Sequence, residues 1–308
     1  MLPIPSFFSL VTLWETYLRR CFTASGLSPR AVEVDLETKT TIHFWGPAVR
    51  PDPQKPSLVL VHGFGPIAIW QWRKQVQFFA PHFNVYVPDL LFFGGSTTAS
   101  SERSEIFQAE SLGKLLVMEL KLERFSIAGT SYGGFVAYRM AEMWPEKVDK
   151  VVIASSGLNL RKRDNEGLLK RAGLEKIEEL MLPTNPGQLR TLVDLAVFKR
   201  LNMAPNFLLI DIINKLYSEN RKEKMELLKG VTLGKDDNPH ISRLQQEVLL
   251  LWGEHDQLFP LEMATELKQL LGEKVKLEVM KNTSHVPQIE APLRFNNIVK
   301  SFLCGPSS

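Results

Sequence analysis

One serine lies between two glycines in Gly129-Thr130-Ser131-Tyr132-Gly133, directly after the apolar run Phe125-Ser126-Ile127-Ala128 and before a helical pattern. A hydroxyl on a sharp strand-to-helix turn is exposed for attack, and side chains two positions before or after it would collide with the neighbouring strand and helix. Glycine at 129 and 133 meets that demand. The same turn leaves the Tyr132 amide at a helix N-terminus, unpaired and aimed at negative charge developing beside Ser131. A serine hydroxyl is a poor nucleophile until a base takes its proton, and the base needs an acid to fix its tautomer and stabilise its cation. Asp256 in "LLLWGEHDQLFP" and His285 in "EVMKNTSHVP" each follow an apolar run and can fill these roles. Glu254 is the nearest alternative acid, His255 is expected to face the loop surface, and "ASSGLNL" after residue 153 offers no carboxylate. A second oxyanion donor is expected from His62-Gly63-Phe64-Gly65, where the glycines let the backbone approach closely and the Phe64 N–H would donate.

Residues so far apart in sequence meet only if the fold delivers them to one rim. Segments 57–63, 84–90, 125–129, 150–156, 247–253 and 274–280 are short, β-branched, nearly continuous apolar runs, as in strands covered on both faces of a parallel sheet. Helical patterns separate them at 70–80, 103–121, 132–144, 260–272 and 288–303. The alternation predicts an α/β fold: an open, mostly parallel, twisted sheet with right-handed crossovers and helices on both faces. "AVEVDLETKTTIHFW" alternates about a Glu37-Thr38-Lys39 turn and reads as an antiparallel hairpin at the sheet edge. Ligands of such a sheet bind outside the carboxyl ends of its strands, where Ser131, Asp256 and His285 all fall. Between residues 158 and 243 no strand pattern occurs and three helical ones do, which predicts a helical cap inserted into a core made of 30–157 and 244–308, with 1–29 a helix and lead-in.

Composition sets bounds on partners. A formal charge of +3 over 308 residues gives no argument for nucleic acid. Cys21 and Cys304 can build neither a disulfide framework nor a thiolate metal site, which fits a reducing, cytoplasmic setting. The histidines at 43, 62, 82, 240, 255 and 285 lack ligand spacing, so no metal is expected. At the N-terminus the apolar runs are too short for a spanning helix, and no basic leader or cleavage site is present. Phe7, Leu10, Val11, Trp14, Leu18 and Cys21 recur at helical spacing, with Arg19 and Arg20 following. Two readings stand: a stripe docked on the domain, or a helix lying on a membrane surface.

The set "VLVHGFG", "VPDLLFFGGS", "IAGTSYGGFVAYRMA", "LLLWGEHDQLFP" and "NTSHVPQIEAP" resembles the α/β-hydrolase superfamily from about residue 30 to the end. It looks most like plant hydrolases related to monoacylglycerol lipases and to meta-cleavage product hydrolases. The resemblance implies a cofactor-free serine hydrolase using Ser131, Asp256 and His285, with Phe64 and Tyr132 as oxyanion donors and 158–243 as the cap. One departure is Ser284, where the family more often has glycine before the histidine. The leading expectation is a carboxylesterase or lipase-like enzyme whose apolar small-molecule ester or acyl glycerol rests against Phe92, Phe93 and Leu258. A hydrolase of carbon–carbon bonds in ring-fission diketones would instead want a cation in the pocket, from Arg73 or Arg190. A small-molecule receptor with a slow triad is the third reading.

Overall fold

The computed structural model describes residues 9–198, 204–235 and 237–305. Its sheet is built from β1 (Leu27–Asp35), β2 (Thr40–Pro47), β3 (Ser57–Val61), β4 (Asn84–Pro88), β5 (Phe125–Thr130), β6 (Val148–Ala154), β7 (Glu247–Gly253) and β8 (Val275–Met280). The order across the sheet is β1-β2-β4-β3-β5-β6-β7-β8. β1 and β2 form the expected antiparallel hairpin, with Lys39 in a left-handed conformation at its turn, and β2 meets β4 antiparallel. Every later pairing is parallel.

The continuous apolar character of the central strands follows from double coverage. Val59, Val61, Ile127, Val151, Ile153 and Leu250 enter one core, while Leu58, Leu60, Ala128, Val152, Leu249 and Leu251, alternating with them, enter the other. Each strand therefore has no solvent face on which a polar residue could alternate. The first core is covered by α3 (Glu105–Gly113), α4 (Tyr132–Met143) and α10 (Leu261–Leu271); the second by α1 (Leu10–Ala24), α2 (Ala68–Phe79) and α12 (Pro292–Cys304). The helix expected over 103–121 is α3 continued by a π turn through Glu119, and the Ser104 hydroxyl caps it by accepting from the Phe107 N–H. A four-residue helix, α11 (Pro287–Glu290), precedes α12.

From β6 to β7 the chain carries no strand among the described residues. It holds α5 (Lys162–Ala172), α6 (Ile177–Met181), α7 (Pro186–Ala196), α8 (Asn206–Ile212, with a π turn to Tyr217) and α9 (Arg221–Gly230). The sequence showed three patterns here because α5 and α6 share one amphipathic run broken at Gly173, which is left-handed, and α8 and α9 share another broken at the left-handed Asn220. The excursion has its own small cores, one centred on Leu182, Leu209 and Ile213, another joining Leu168, Leu180 and Leu195 to Leu258 of the sheet rim. Its start is clasped to α10, where Asn159 Nδ2 and Arg161 both reach the Glu266 carboxylate. Its far end is clasped to α3, where the Thr232 N–H donates to the buried Glu105, itself paired with Arg139 of α4.

Candidate active site

Ser131 is in a backbone conformation rarely adopted by a residue with a side chain, φ 53° and ψ −123°. Such a conformation is strained and persists only where its surroundings over-determine it. Those surroundings are visible. The Ser131 N–H donates to the Ala154 carbonyl of β6 at 2.9 Å, and its own carbonyl accepts from the Gly134 N–H and, at 2.7 Å, from the Ser156 hydroxyl. A methyl group at 129 would come within 2.0 Å of the Gly133 carbonyl oxygen, and one at 133 within 2.4 Å of that of Val61, so strand, turn and helix touch backbone to backbone.

The turn aims the Ser131 hydroxyl at His285, whose Nε2 lies 2.9 Å from Oγ. On the other side of the ring, Nδ1 lies 3.0 Å from Asp256 Oδ2 and 3.2 Å from Oδ1. A carboxylate can only accept, so Nδ1 carries the proton and Nε2 is the lone pair facing the hydroxyl. The carboxylate is held in turn: Oδ1 accepts from the Leu258 and Phe259 amides, each at 2.9 Å. Both side chains are buried. Glu254 bonds instead to the Asn282 N–H, and half-exposed His255 stacks on Phe198 with ring centroids 4.6 Å apart.

The loop after β3 lies against this hydroxyl, since a methyl group on Gly63 would stand 3.0 Å from Ser131 Cβ. Neither the Phe64 nor the Tyr132 N–H has an acceptor among the described residues, and both belong to residues lining the same cavity as Ser131. The loop is fixed by two groups that sequence reading did not assign. Gln71 Oε1 accepts from the Gly63 N–H at 2.9 Å while its amide donates to the Gly63 and Pro66 carbonyls. His62 accepts from the Leu90 N–H through Nε2 and donates from Nδ1 to the Gly63 carbonyl, so it is neutral and its tautomer is defined. Burial pushes the His62 imidazole below the ordinary histidine range, with the Asp89 charge opposing.

Ser284, the departure noted from the family's usual glycine, has a specific role in packing. Its hydroxyl reaches the carbonyls of His255, at 2.9 Å, and Leu195, at 3.2 Å, and the His285 N–H donates to the Ala196 carbonyl at 3.1 Å. The histidine loop is thus stitched to the C-terminus of α7.

A cavity of about 190 Å³ opens above Ser131 and His285. Phe64, Tyr132, Leu258 and Phe259 line it from the sheet rim, and Leu160, Leu168, Ile177, Met181, Leu228 and Leu233 from the excursion. Leu258, one of the three apolar residues singled out from the sequence, is among the lining residues. Phe92 and Phe93 are not among the lining residues: Phe92 is buried with Arg103 over its ring, and Phe93 stands behind the wall, edge-on to Phe64 and His62. A position just past a strand identifies the correct end of the sheet, and apolar loop residues there also serve to pack the wall from behind. Arg73 and Arg190 likewise face elsewhere, Arg73 over Trp14 and Tyr17, Arg190 onto Ala204 and Asn206. Among the described residues, the lysines and arginines at the cavity are Lys229, paired with Glu178, and exposed Lys235.

A strained serine between β5 and α4, a buried histidine–carboxylate pair after β8 and β7, and a parallel sheet with an antiparallel edge together define a class. Residues 56–292 match the family model of the alpha/beta hydrolase fold, and the chain belongs to that family of hydrolases. It is 25% identical over 266 residues to the 2-hydroxymuconate semialdehyde hydrolase of Pseudomonas sp. (strain CF600), covering 80% of this chain and 86% of that one. Among solved structures, it is similar to a bacterial membrane phospholipase A (TM-score 0.76, 21% identity, 96% of this chain and 91% of that one). It is also similar to the 2-hydroxy-6-oxo-6-phenylhexa-2,4-dienoate hydrolase of Rhodococcus sp. strain RHA1 (TM-score 0.70, 21% identity, 91% and 99%).

Proposed function

We propose that the protein is a serine hydrolase that cleaves carboxylic esters of apolar small molecules or acyl glycerols through an acyl-enzyme. The observation that carries this reading is the 2.9 Å contact from Ser131 Oγ to a histidine whose opposite nitrogen faces a buried carboxylate, at the floor of an apolar cavity. His285 Nε2 takes the hydroxyl proton as Oγ attacks the ester carbonyl, and Asp256 stabilises the imidazolium that forms. Charge moves onto the carbonyl oxygen between the Phe64 and Tyr132 amides, each worth about 3 to 4 kcal/mol to the transition state by analogy with measured donor deletions. His285 then gives its proton to the departing alcohol, and a water activated by the same nitrogen releases the acid. Residues 158–243 act as the cap, with Leu160, Leu168, Ile177, Met181, Leu228 and Leu233 excluding water from the acyl chain.

The names of several relatives favour a second reading, cleavage of a carbon–carbon bond in a dienoate. Such substrates are anionic, and the cavity wall beside Ser131 is apolar, its two lysines being one paired and one exposed. That chemistry of the wall supports the neutral ester. A screen of acyl glycerols, p-nitrophenyl esters and a dienoate ring-fission product tests the choice, with Ser131→Ala as control. Multiple turnover of the neutral esters, lost in the variant, is expected; turnover of the dienoate alone would reverse the assignment, and ligand binding with negligible turnover of any of them would support a receptor.

A further inference from the structure

Helix α1 has two apolar stripes where docking needs one. Val11, Leu18, Cys21 and Phe22 are buried against the domain. The helix is further fixed by the Asp211 carboxylate, which accepts from the Ser9 hydroxyl and the Val11 N–H at 2.9 and 3.1 Å, and by Glu15, which accepts from Trp70 Nε1. On the outer side Leu10, Leu13, Trp14 and Tyr17, spaced as neighbours on one helical face, remain between 42% and 63% exposed. The adjoining start of α8 adds Phe207 and Ile210, also exposed. Single exposed apolar side chains need no explanation, but six on two touching helices form a patch that does.

We infer that this face of α1 and α8 docks on an anionic lipid bilayer. Charge decides the occupant. The Arg73 guanidinium lies over the Trp14 and Tyr17 rings, 5.7 and 5.6 Å from their centroids, and exposed Arg20 continues the outer stripe one turn beyond Tyr17. The single acid of α1, Glu15, faces Trp70, and Asp211 is tied to the helix N-terminus, so neither opposes an anionic surface. Leucines flanked by Trp and Tyr, with arginines at the border, match the layered chemistry of acyl chains, interface and headgroups. A second copy of this chain seated on the same patch would bring four arginines together. Residues 1–8, ahead of the helix, include Leu2, Ile4, Phe7 and Phe8 and no charged side chain. The buried side of α8 packs, through Leu209, Ile213 and Tyr217, toward Phe64, so a docked chain would hold its cavity close to the lipid. The inference does not depend on the reaction assigned to Ser131.

The full chain is sedimented with vesicles of phosphatidylcholine, with and without one-third phosphatidylserine. Binding to the anionic vesicles is expected, weaker by at least about tenfold in the Leu13→Glu/Trp14→Glu double variant. Arg20→Gln should weaken it by about fivefold. Both variants should keep the wild-type thermal melt, because none of the three side chains belongs to the buried stripe. Absence of wild-type binding to either vesicle, or equal binding by the double variant, would overturn the inference. So would a wild-type dimer that the double variant dissociates, which would make the patch an interface between copies.

Discussion

A methyl group at position 133 would meet the Val61 and His62 carbonyl oxygens at 2.4 and 2.5 Å, and backbone cannot swing aside as a side chain can. Gly133→Ala should therefore destabilise the fold by about 2 to 3 kcal/mol, read from urea unfolding, and abolish activity in whatever fraction folds. His62 gives a prediction in pH. Its folded form is held neutral by burial and by the Leu90 and Gly63 bonds, whereas the unfolded imidazole titrates near an ordinary value of about 6.5. Below that pH the unfolded chain binds the extra proton, so stability falls as pH drops from about 6.5 toward the depressed folded value. The slope of unfolding free energy with pH in that window should be shallower in His62→Asn. Ser131, Asp256 and His285 were legible because glycine spacing marks the elbow and each residue follows a recognisable strand. Gln71 and Ser156 were not, since each acts through hydrogen bonds to backbone groups whose positions only the folded loops define.

The strands could be read because burial on both faces leaves a continuous apolar run, a pattern set locally. Which helices contact which loops depends on packing that periodicity does not encode, and α7 is the informative case. Its last two residues offer carbonyls to Ser284 and His285, so a helix that contributes no residue to the cavity lining holds the His285 loop in place. Ser284→Ala leaves the Leu195 carbonyl without that donor and should cost about 1 to 2 kcal/mol in thermal or urea unfolding. On the proposed mechanism its kcat should fall more than its KM changes, because the ring it positions would act in proton transfer rather than in holding substrate. The clasp at the other end of the excursion is buried: Glu105→Gln removes the charge facing Arg139, and about 3 kcal/mol of stability should go with it. In α1 the sequence offered docking and membrane contact as alternatives. A helix of 3.6 residues per turn has room for both: of the single stripe read from the sequence, Val11, Leu18 and Cys21 face the domain, Leu10 and Trp14 lie on the outer side, and Phe7 lies outside the described residues.

The assembled chain brings Ser131, Asp256 and His285, separated by up to 154 positions, into one hydrogen-bonded row beneath an apolar cavity. Neutral esters should accordingly be turned over faster than their carboxylate-bearing analogues. Lys235→Ala, at the exposed rim, should leave kcat/KM for a neutral p-nitrophenyl ester within about twofold, as expected for a surface charge. All of this presupposes an activated serine. The most direct measurement is intact-mass analysis of the folded chain after reaction with a fluorophosphonate, followed by peptide mapping. One adduct per chain is expected, located on Ser131, absent in Ser131→Ala and strongly slowed in His285→Ala. An unlabelled wild type, or an adduct on another residue with ester cleavage surviving in Ser131→Ala, would contradict it.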